Sequence, residues 1–153
     1  MSTAVFQVFV DSDVVISSLL SDSGAGFLLL NQLSKDIKIS VRFFISNVSK
    51  KEIRIVGQRL NIDKTKTDKL IKSNLNIVKI KEPVANLKKN FKSYTSDPND
   101  THIVAGAKAA KAKFIISYNI RDFNVEKIGK DLKISTLTPA KFLQYVRSQG
   151  III

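Results

Sequence analysis

Short apolar segments alternate along the chain with longer segments whose apolar residues recur at helical spacing. The apolar segments at 7–10, 39–45, 77–80 and 114–117 and a last one, 133–135, predict strands. Helical spacing or helix-start signals mark 13–20, 27–33, 47–60, 63–75, a segment begun by Pro83, one begun at Asp97, and 139–147. The alternation predicts parallel strands joined by right-handed crossovers, and therefore an α/β fold with a three-layer α/β/α sandwich.

Length and composition limit the possible classes. The 153 residues suffice for one domain and are too few for two ordinary ones, so residues 1–153 are interpreted as a single domain. The sequence has no cysteine, which excludes disulfides and thiolate chemistry, and its single histidine excludes a histidine-rich metal site. With neither a long apolar segment nor a signal-peptide pattern, we expect a soluble cytoplasmic protein with no membrane association.

Positive charge is concentrated in one part of the chain. The formal net charge is +12, and residues 50–92 hold 13 Lys and Arg against 4 Asp and Glu. Such a field attracts polyanions, most commonly nucleic acid, although lysine-rich helices also form ordinary soluble surfaces. The candidate contacts for a nucleic-acid backbone are Lys50, Lys51, Arg54 and Arg59.

The most informative acids follow the first strand. The apolar residues 8–10 run directly into Asp11, Ser12 and Asp13. In open α/β sheets, sites are built at the carboxyl ends of the strands, and acids buried there require a cation, a proton or a phosphate. The alternative is local: Asp13 caps the following helix and Asp11 is a turn residue.

Each of the other candidate acids also has a capping or loop alternative. Glu52 completes a capping box with Ser49, unless the helix begins at Ser46 or Asn47 and leaves Glu52 in its second turn. Asp97 is interpreted as an N-cap. Asp100 either completes a second capping box or lies ionised at the positive end of the helix, as a ligand. Asp122 ends a loop that also contains Ser117 and Asn119.

Four acids at strand ends or helix starts exceed what capping requires. Carboxylate oxygens suit Mg²⁺ or Mn²⁺, as one or two ions that keep several waters. Such ions lower the pKa of an attacking water and stabilise the leaving 3′-oxygen in phosphodiester hydrolysis. The acids therefore predict metal-dependent hydrolysis of a nucleic acid held by the basic segment.

The ordered motifs resemble the PIN-domain family of ribonucleases, and especially the single-domain prokaryotic VapC-like toxins of toxin–antitoxin systems. The resemblance covers nearly the whole chain. Its parts are the strand with the acids at 8–15, the Ser-then-Glu helix at 46–52, the Asp-rich helix start at 97–103, the segment at 116–123, and the Thr-Pro-x-x-Phe-Leu sequence at 138–143.

The resemblance implies a parallel sheet of about five strands and a ribonuclease whose metal ligands and catalytic residues are Asp11, Glu52, Asp100 and Asp122. It implies Ser12 and Ser117 as supporting hydroxyls, a homodimer, an RNA substrate, and an antitoxin that blocks the acidic pocket. The chain departs from the family at Asp13, where Asn is frequent, and at Asn119, where many relatives carry Asp. Asn119 is therefore a supporting residue here, and His102 is expected to pack or support rather than ligate.

Two other interpretations remain open. Asp11 and Asp13 also fit a haloacid-dehalogenase-like phosphatase, with Asp11 as the nucleophile and Asp13 as the acid/base, but that leaves Glu52 and Asp100 without a function. Alternatively, Asn119 marks a PIN-like RNA-binding or interaction module that has lost catalysis. The apolar C-terminal residues 151–153 are expected to pair at a sheet edge or to pack against a partner subunit.

Overall fold

A computed structural model describes residues 4–33 and 39–149 and shows a five-stranded, all-parallel sheet. The strands lie in the order β3-β2-β1-β4-β5, so β1 is central. Their bounds are β1 Ala4–Val10, β2 Ile39–Ser46, β3 Asn76–Val78, β4 Phe114–Ile116 and β5 Ser135–Leu137. The prediction of a central parallel sheet of about five strands is confirmed.

Helices flank the sheet. They are α1 Ser12–Leu20, α2 Ala25–Phe27, α3 Asn47–Arg59, α4 Lys64–Asn74, α5 Val84–Asn90, α6 Thr101–Ala109, α7 Val125–Leu132 and α8 Pro139–Ser148. A π-helical segment, Leu28–Gln32, continues α2, and a 3₁₀ turn, Pro98–Asp100, leads into α6. The expected helix at 27–33 therefore begins slightly earlier, at Ala25.

The core has two parts because side chains alternate across the strands. Val8 and Val10 pack with residues of α1, α4 and α8, whereas Phe9 packs with residues of α6 and α7. Strand β1 is thus buried on both faces, as is typical of a parallel sheet between helical layers. The three-layer sandwich is confirmed.

Helix caps decide where several helices begin. The Ser46 hydroxyl accepts a hydrogen bond from the Ser49 N–H at 3.0 Å, so α3 starts at Asn47. Asp63 caps α4 through the Thr65 N–H, and Asp97 accepts from the Asn99 N–H, each at 2.9 Å. With Ser46 as the cap, Glu52 lies in the second turn of α3 and does not complete a capping box.

One helix is absent from the sequence-based prediction, and it displaces the last strand. Helix α7 begins after Asn124, whose side chain accepts from the Lys127 N–H at 3.1 Å, and its Ile128 is fully buried. Lys133 ends the helix in a left-handed conformation with φ of 59°. A strand at 133–135 is therefore wrong: β5 starts at Ser135. The C-terminal residues 150–153 lie outside the described residues.

No single helix in the described part of the chain is long and apolar enough to cross a membrane. Two consecutive helical segments would be long and apolar enough only if they were taken together, Ser12–Leu20 and Ala25–Gln32. The chain bends by 101° at the break between them. Val14, Val15, Leu29 and Leu30 from this pair are fully buried in the core of the domain.

Gly106 allows α6 to pack directly on the central strand. A β-carbon at this position would lie 2.5 Å from Cζ of Phe9, which is itself fully buried. We predict that Gly106→Ala destabilises the fold by about 1–3 kcal/mol, because the aromatic ring has no room to shift. Thermal unfolding followed by circular dichroism measures the effect.

Gly57→Ala is the matched control for this substitution. Gly57 also lies inside a helix, but its β-carbon would meet only Ile62 Cβ at 3.9 Å, an ordinary contact. Alanine there should leave the melting temperature unchanged or raise it, since alanine is the better helix former. Equal effects of the two substitutions would show that the contact with Phe9 is not limiting.

Candidate active site

Asp11 lies at the carboxyl end of the central strand, between the ends of β2 and β4. Its N–H donates to the Ile116 carbonyl at 2.9 Å, which continues the pairing of β1 with β4. The residue is 7% exposed, and it precedes α1 without capping that helix through its side chain. Its carboxylate accepts from the Ser117 hydroxyl at 2.8 Å and from the Ser12 hydroxyl at 3.4 Å.

Glu52 reaches the same edge from α3. One of its oxygens accepts a hydrogen bond from the Ser12 hydroxyl, and the other lies 3.4 Å from Nε2 of His102. The Glu52 side chain is 45% exposed, whereas that of His102 is 6% exposed. Ser12 thus bridges Asp11 and Glu52, and His102 of α6 contacts the second oxygen of Glu52.

Asp13 accepts hydrogen bonds from the loop that follows β4. Its Oδ2 accepts from the Tyr118 N–H at 3.1 Å, from the Asn119 side-chain amide at 3.2 Å and from the Ser117 hydroxyl at 3.4 Å. The alternative in which Asp13 caps α1 is therefore wrong, since the carboxylate faces the neighbouring loop. Asn119 orients Asp13, and its N–H also donates to the Ser117 hydroxyl at 3.0 Å.

Asp100 lies at the start of α6, and its side chain makes no capping hydrogen bond. Asp97 caps the preceding turn, but among the described residues the Asp100 side chain accepts no hydrogen bond from the Asp97 N–H, so the capping-box alternative for Asp100 is wrong. Asp100 interacts electrostatically with Asp11, Asp97 and Asp122. Asp122 ends the 3₁₀ turn Ile120–Asp122 and is half-buried.

Burial, and after it repulsion between neighbouring carboxylates, raises the pKa values of these acids. Burial, followed by repulsion from Asp11, raises the pKa of Asp13 to about 7, and burial followed by the same repulsion raises the pKa of Asp100 to about 6. Burial raises the pKa of Asp11 as well. The sequence favours a readily ionised Asp100 at a helix N-terminus, but desolvation and neighbouring carboxylates outweigh that helix effect.

Glu52 behaves oppositely. Its hydrogen bond with His102 holds its pKa below the ordinary value, against the effect of its own partial burial, and Ser12 contributes in the same direction. Among Asp11, Asp13, Glu52 and Asp100, Glu52 is therefore the one whose pKa is lowered. The charged Glu52 carboxylate repels the Asp11 carboxylate and so contributes to the raised pKa of Asp11.

The donor set fits a hard divalent cation by its chemistry. Carboxylate and hydroxyl oxygens converge on Asp11, and Oδ1 of Asp13 is buried without a hydrogen-bond partner. Among the described residues, however, no three Asp, Glu or His side chains already form a group that could hold one ion. Mg²⁺ commonly takes only one or two protein carboxylates and completes its shell with water and phosphate, so a site for it does not require three grouped acids.

The predicted basic contacts differ in position along α3. Lys50 and Lys51 directly precede Glu52, at the end of the helix near the acids. Arg54 forms an exposed ion pair with Asp68 at 3.1 Å. Arg59 lies seven residues beyond Glu52, about 10 Å further along the helix. Along α3, Lys50, Lys51 and Arg54 thus all lie within two residues of Glu52, and Arg59 lies farthest from it.

Two contacts in the site lie beyond what sequence reasoning predicts. His102 is expected to pack or support, but its pairing with Glu52 joins residues 50 positions apart and depends on how α3 meets α6. The link from Asp13 to residues 117–119 depends on β4 pairing with β1. Knowing the strand order would reveal this link, because it places β4 next to β1. That order cannot be read directly from a single sequence.

Comparison with known proteins gives one family and two similar structures. A family model described as PIN domain matches residues 7–121. The structure of VapBC2 from Rickettsia felis bound to a DNA fragment from their promoter is 15% identical, with a TM-score of 0.56, covering 86% of this chain and 98% of that chain. The structure of FitAB bound to an IR36 DNA fragment is 20% identical, with a TM-score of 0.55, covering 86% and 94%. At these identities the likeness concerns the fold. No curated protein matches the sequence.

Removing the central charge should stabilise the metal-free protein. We predict that Asp11→Asn raises the melting temperature at pH 8 in EDTA by roughly 2–5 °C, since it removes a desolvated charge that also repels Asp13 and Asp100. An amide oxygen in its place still accepts from Ser117. Differential scanning calorimetry measures the shift.

The gain should depend on pH in a defined direction. The folded pKa values of Asp11, Asp13 and Asp100 are raised, so the folded chain binds more protons than the unfolded chain above the ordinary value of 3.8. Stability is therefore lost as the pH rises through about 6 and about 7. The gain from Asp11→Asn should shrink toward pH 5. Asp22→Asn, at an exposed acid, is the control that should change neither curve; a gain that is absent or grows toward pH 5 contradicts the crowding.

Proposed function

Because the chain belongs to the PIN-domain family of nucleases, we propose that it is an endoribonuclease that hydrolyses RNA phosphodiester bonds with Mg²⁺ or Mn²⁺, as one or two ions. The observation that carries the proposal is the desolvated acidic cluster at the carboxyl edge of the sheet. A protein that buries Asp11 beside Asp13 and Asp100 retains groups that repel one another. A divalent cation offsets that repulsion and supplies a reason to keep the acids together.

Asp11, Glu52, Asp100 and Asp122 are the proposed metal ligands and catalytic residues. A bound ion supplies an activated water and compensates charge at the leaving 3′-oxygen. The Ser117 hydroxyl orients Asp11, and Ser12 holds Asp11 and Glu52 at a fixed separation. His102 keeps Glu52 ionised and directed toward the edge.

Asn119 takes a supporting role in this proposal. Its side-chain amide donates to Asp13, an interaction that an aspartate at the same position could not provide while both were ionised. Asn119 therefore fits next to the acidic residue at position 13, and the two departures from the family pattern compensate each other. This pairing supports retained activity over the inactive binding module.

RNA is the proposed substrate because the net positive charge balances an acidic centre that would otherwise repel a polyanion. Lys50 and Lys51, beside Glu52, are proposed to hold the sugar-phosphate backbone close to the ligands. Arg54 and Arg59 are proposed to extend that contact along α3. An RNA substrate fits a cytoplasmic location.

We also propose that the chain is the toxin of a toxin–antitoxin pair and forms a homodimer. The two similar structures are VapBC2 and FitAB complexes bound to DNA, which motivates the antitoxin. A groove of about 430 Å³ between α1 and α3 runs along Ile16, Leu20 and Val56 and ends at Asp13 and Glu52. Leu20 and Ile55 are each 59% exposed, so apolar surface is available to a partner chain.

Loss of one acid should abolish cleavage. We predict that the wild-type chain cuts RNA with Mg²⁺ or Mn²⁺ and not in EDTA, and that Asp100→Asn reduces the rate at least about a hundredfold without loss of fold. Asp22→Asn should cut like the wild type. Gel analysis of end-labelled RNA measures the rate, and circular dichroism checks the fold.

The same assay separates the alternatives. Salt-dependent RNA binding without cleavage under either metal would favour the non-catalytic module. A phosphoryl group trapped on Asp11 would favour the phosphatase, in which Asp11 is the nucleophile. Cleavage that survives in EDTA would contradict a metal-dependent mechanism.

The toxin role has a cellular test. We predict that induced expression of the wild-type chain in a bacterial host arrests growth, because cleavage of cellular RNA stops protein synthesis, whereas Asp100→Asn does not. Co-expression of a small DNA-binding protein encoded immediately upstream should restore growth. Normal growth with the active wild-type enzyme, or no rescue by the upstream protein, would contradict the toxin–antitoxin assignment.

A further inference from the structure

Tyr118 places an exposed aromatic ring next to the acidic cluster. It follows Ser117, whose hydroxyl donates to Asp11, and its own N–H donates to Asp13. The residue is 42% exposed. An aromatic ring so close to the proposed ligands calls for a reason, because exposing it forgoes the stabilisation that burial gives.

Packing explains the rings of the other two tyrosines. Tyr145 lies in a cluster of rings, with its centroid 5.2 Å from that of Phe114 and 6.0 Å from that of Phe6. Tyr94 has the Phe91 ring at 6.1 Å and the Lys127 ammonium over its face at 5.5 Å, and its hydroxyl donates to Asp131. Within the described residues, the Tyr118 ring has no aromatic or cation partner of this kind.

The ring is nevertheless held in place at both ends. The backbone of Tyr118 is fixed by Asp13, and the adjacent Asn119 is fixed by Ser117 and Asp13. At the other end, a β-carbon on Gly26 would lie 3.2 Å from the Tyr118 hydroxyl oxygen, so the absence of a side chain at Gly26 admits the phenol. An exposed ring that is already ordered loses little conformational entropy when a flat ligand stacks on it.

We propose that Tyr118 is a substrate-positioning residue, and that its ring stacks on an unpaired RNA base next to the phosphodiester to be cut. The inference rests on the proposed ribonuclease function and adds the single-stranded character of the substrate. Bases stack on tyrosine with little dependence on sequence, because every base has a π face. A stacked base would hold the adjoining phosphate at the acids, while Lys50 and Lys51 contact the backbone from α3.

Tryptophan fluorescence tests the stacking directly, since the chain contains no tryptophan. Tyr118→Trp is made in an Asp100→Asn background, so that bound RNA stays intact. We expect oligoadenylate to quench the emission and an abasic ribose-phosphate oligomer of equal length to leave it unchanged. Tyr145→Trp in the same background is the matched control, because Tyr145 lies on α8 with its ring packed on Phe114 and Phe6; it should not be quenched.

Binding measurements provide the second arm. Fluorescence anisotropy of labelled oligoadenylate should show Tyr118→Ala binding about tenfold more weakly, whereas Tyr118→Phe keeps wild-type affinity. Equal quenching by both oligomers, or unchanged affinity of Tyr118→Ala, overturns the stacking role. Neither readout requires cleavage, so a wild-type chain that never cuts RNA refutes the ribonuclease without deciding the stacking result.

Discussion

The arrangement of side chains at the carboxyl edge of the sheet depends on the burial of the Asp11 carboxylate at the end of the central strand. Strand β1 pairs with β2 on one side and β4 on the other, so whatever follows Val10 is enclosed by both neighbours. The hydroxyl groups of Ser12 and Ser117 donate hydrogen bonds to the carboxylate and partly offset its desolvation. Each of these serines then touches a second acid, Glu52 or Asp13, and the separate acids become one network.

Repulsion between the carboxylates of this network destabilises the metal-free fold, and apolar packing in the core offsets that effect. The fully buried β1 residues Val8, Phe9 and Val10 anchor Asp11, because the strand cannot shift to relieve the charges above it without disturbing two packed layers. Close approach at Gly106 fixes one of these layers against the strand. Rigid apolar packing below the edge thereby keeps mutually repelling groups in place, as an active site requires.

Local chemistry is readable from the sequence, and contacts through space are not. The first four strands, the cap at Asp97 and the acids at strand ends follow from apolar runs and short-range spacing. Helix α7 escapes prediction although Val125, Ile128 and Leu132 share one helical face, since Gly129 and four charged residues make the segment resemble a loop. Glu52 is ambiguous until the Ser46 cap fixes the start of α3. The pKa of Asp100 is raised by burial and then by repulsion from Asp11, a residue 89 positions away that only the folded sheet brings near.

The lengths of the strands have a consequence for how this molecule meets other proteins. Both outermost strands, β3 and β5, are three residues long, roughly 10 Å, while the longer β1 and β2 lie inside. A foreign strand that tried to extend the sheet at either margin would find few backbone groups to pair with, and this guards the chain against fibre-like stacking. Contact with another chain is therefore favoured at the helical faces, where side chains rather than backbone groups form the contact.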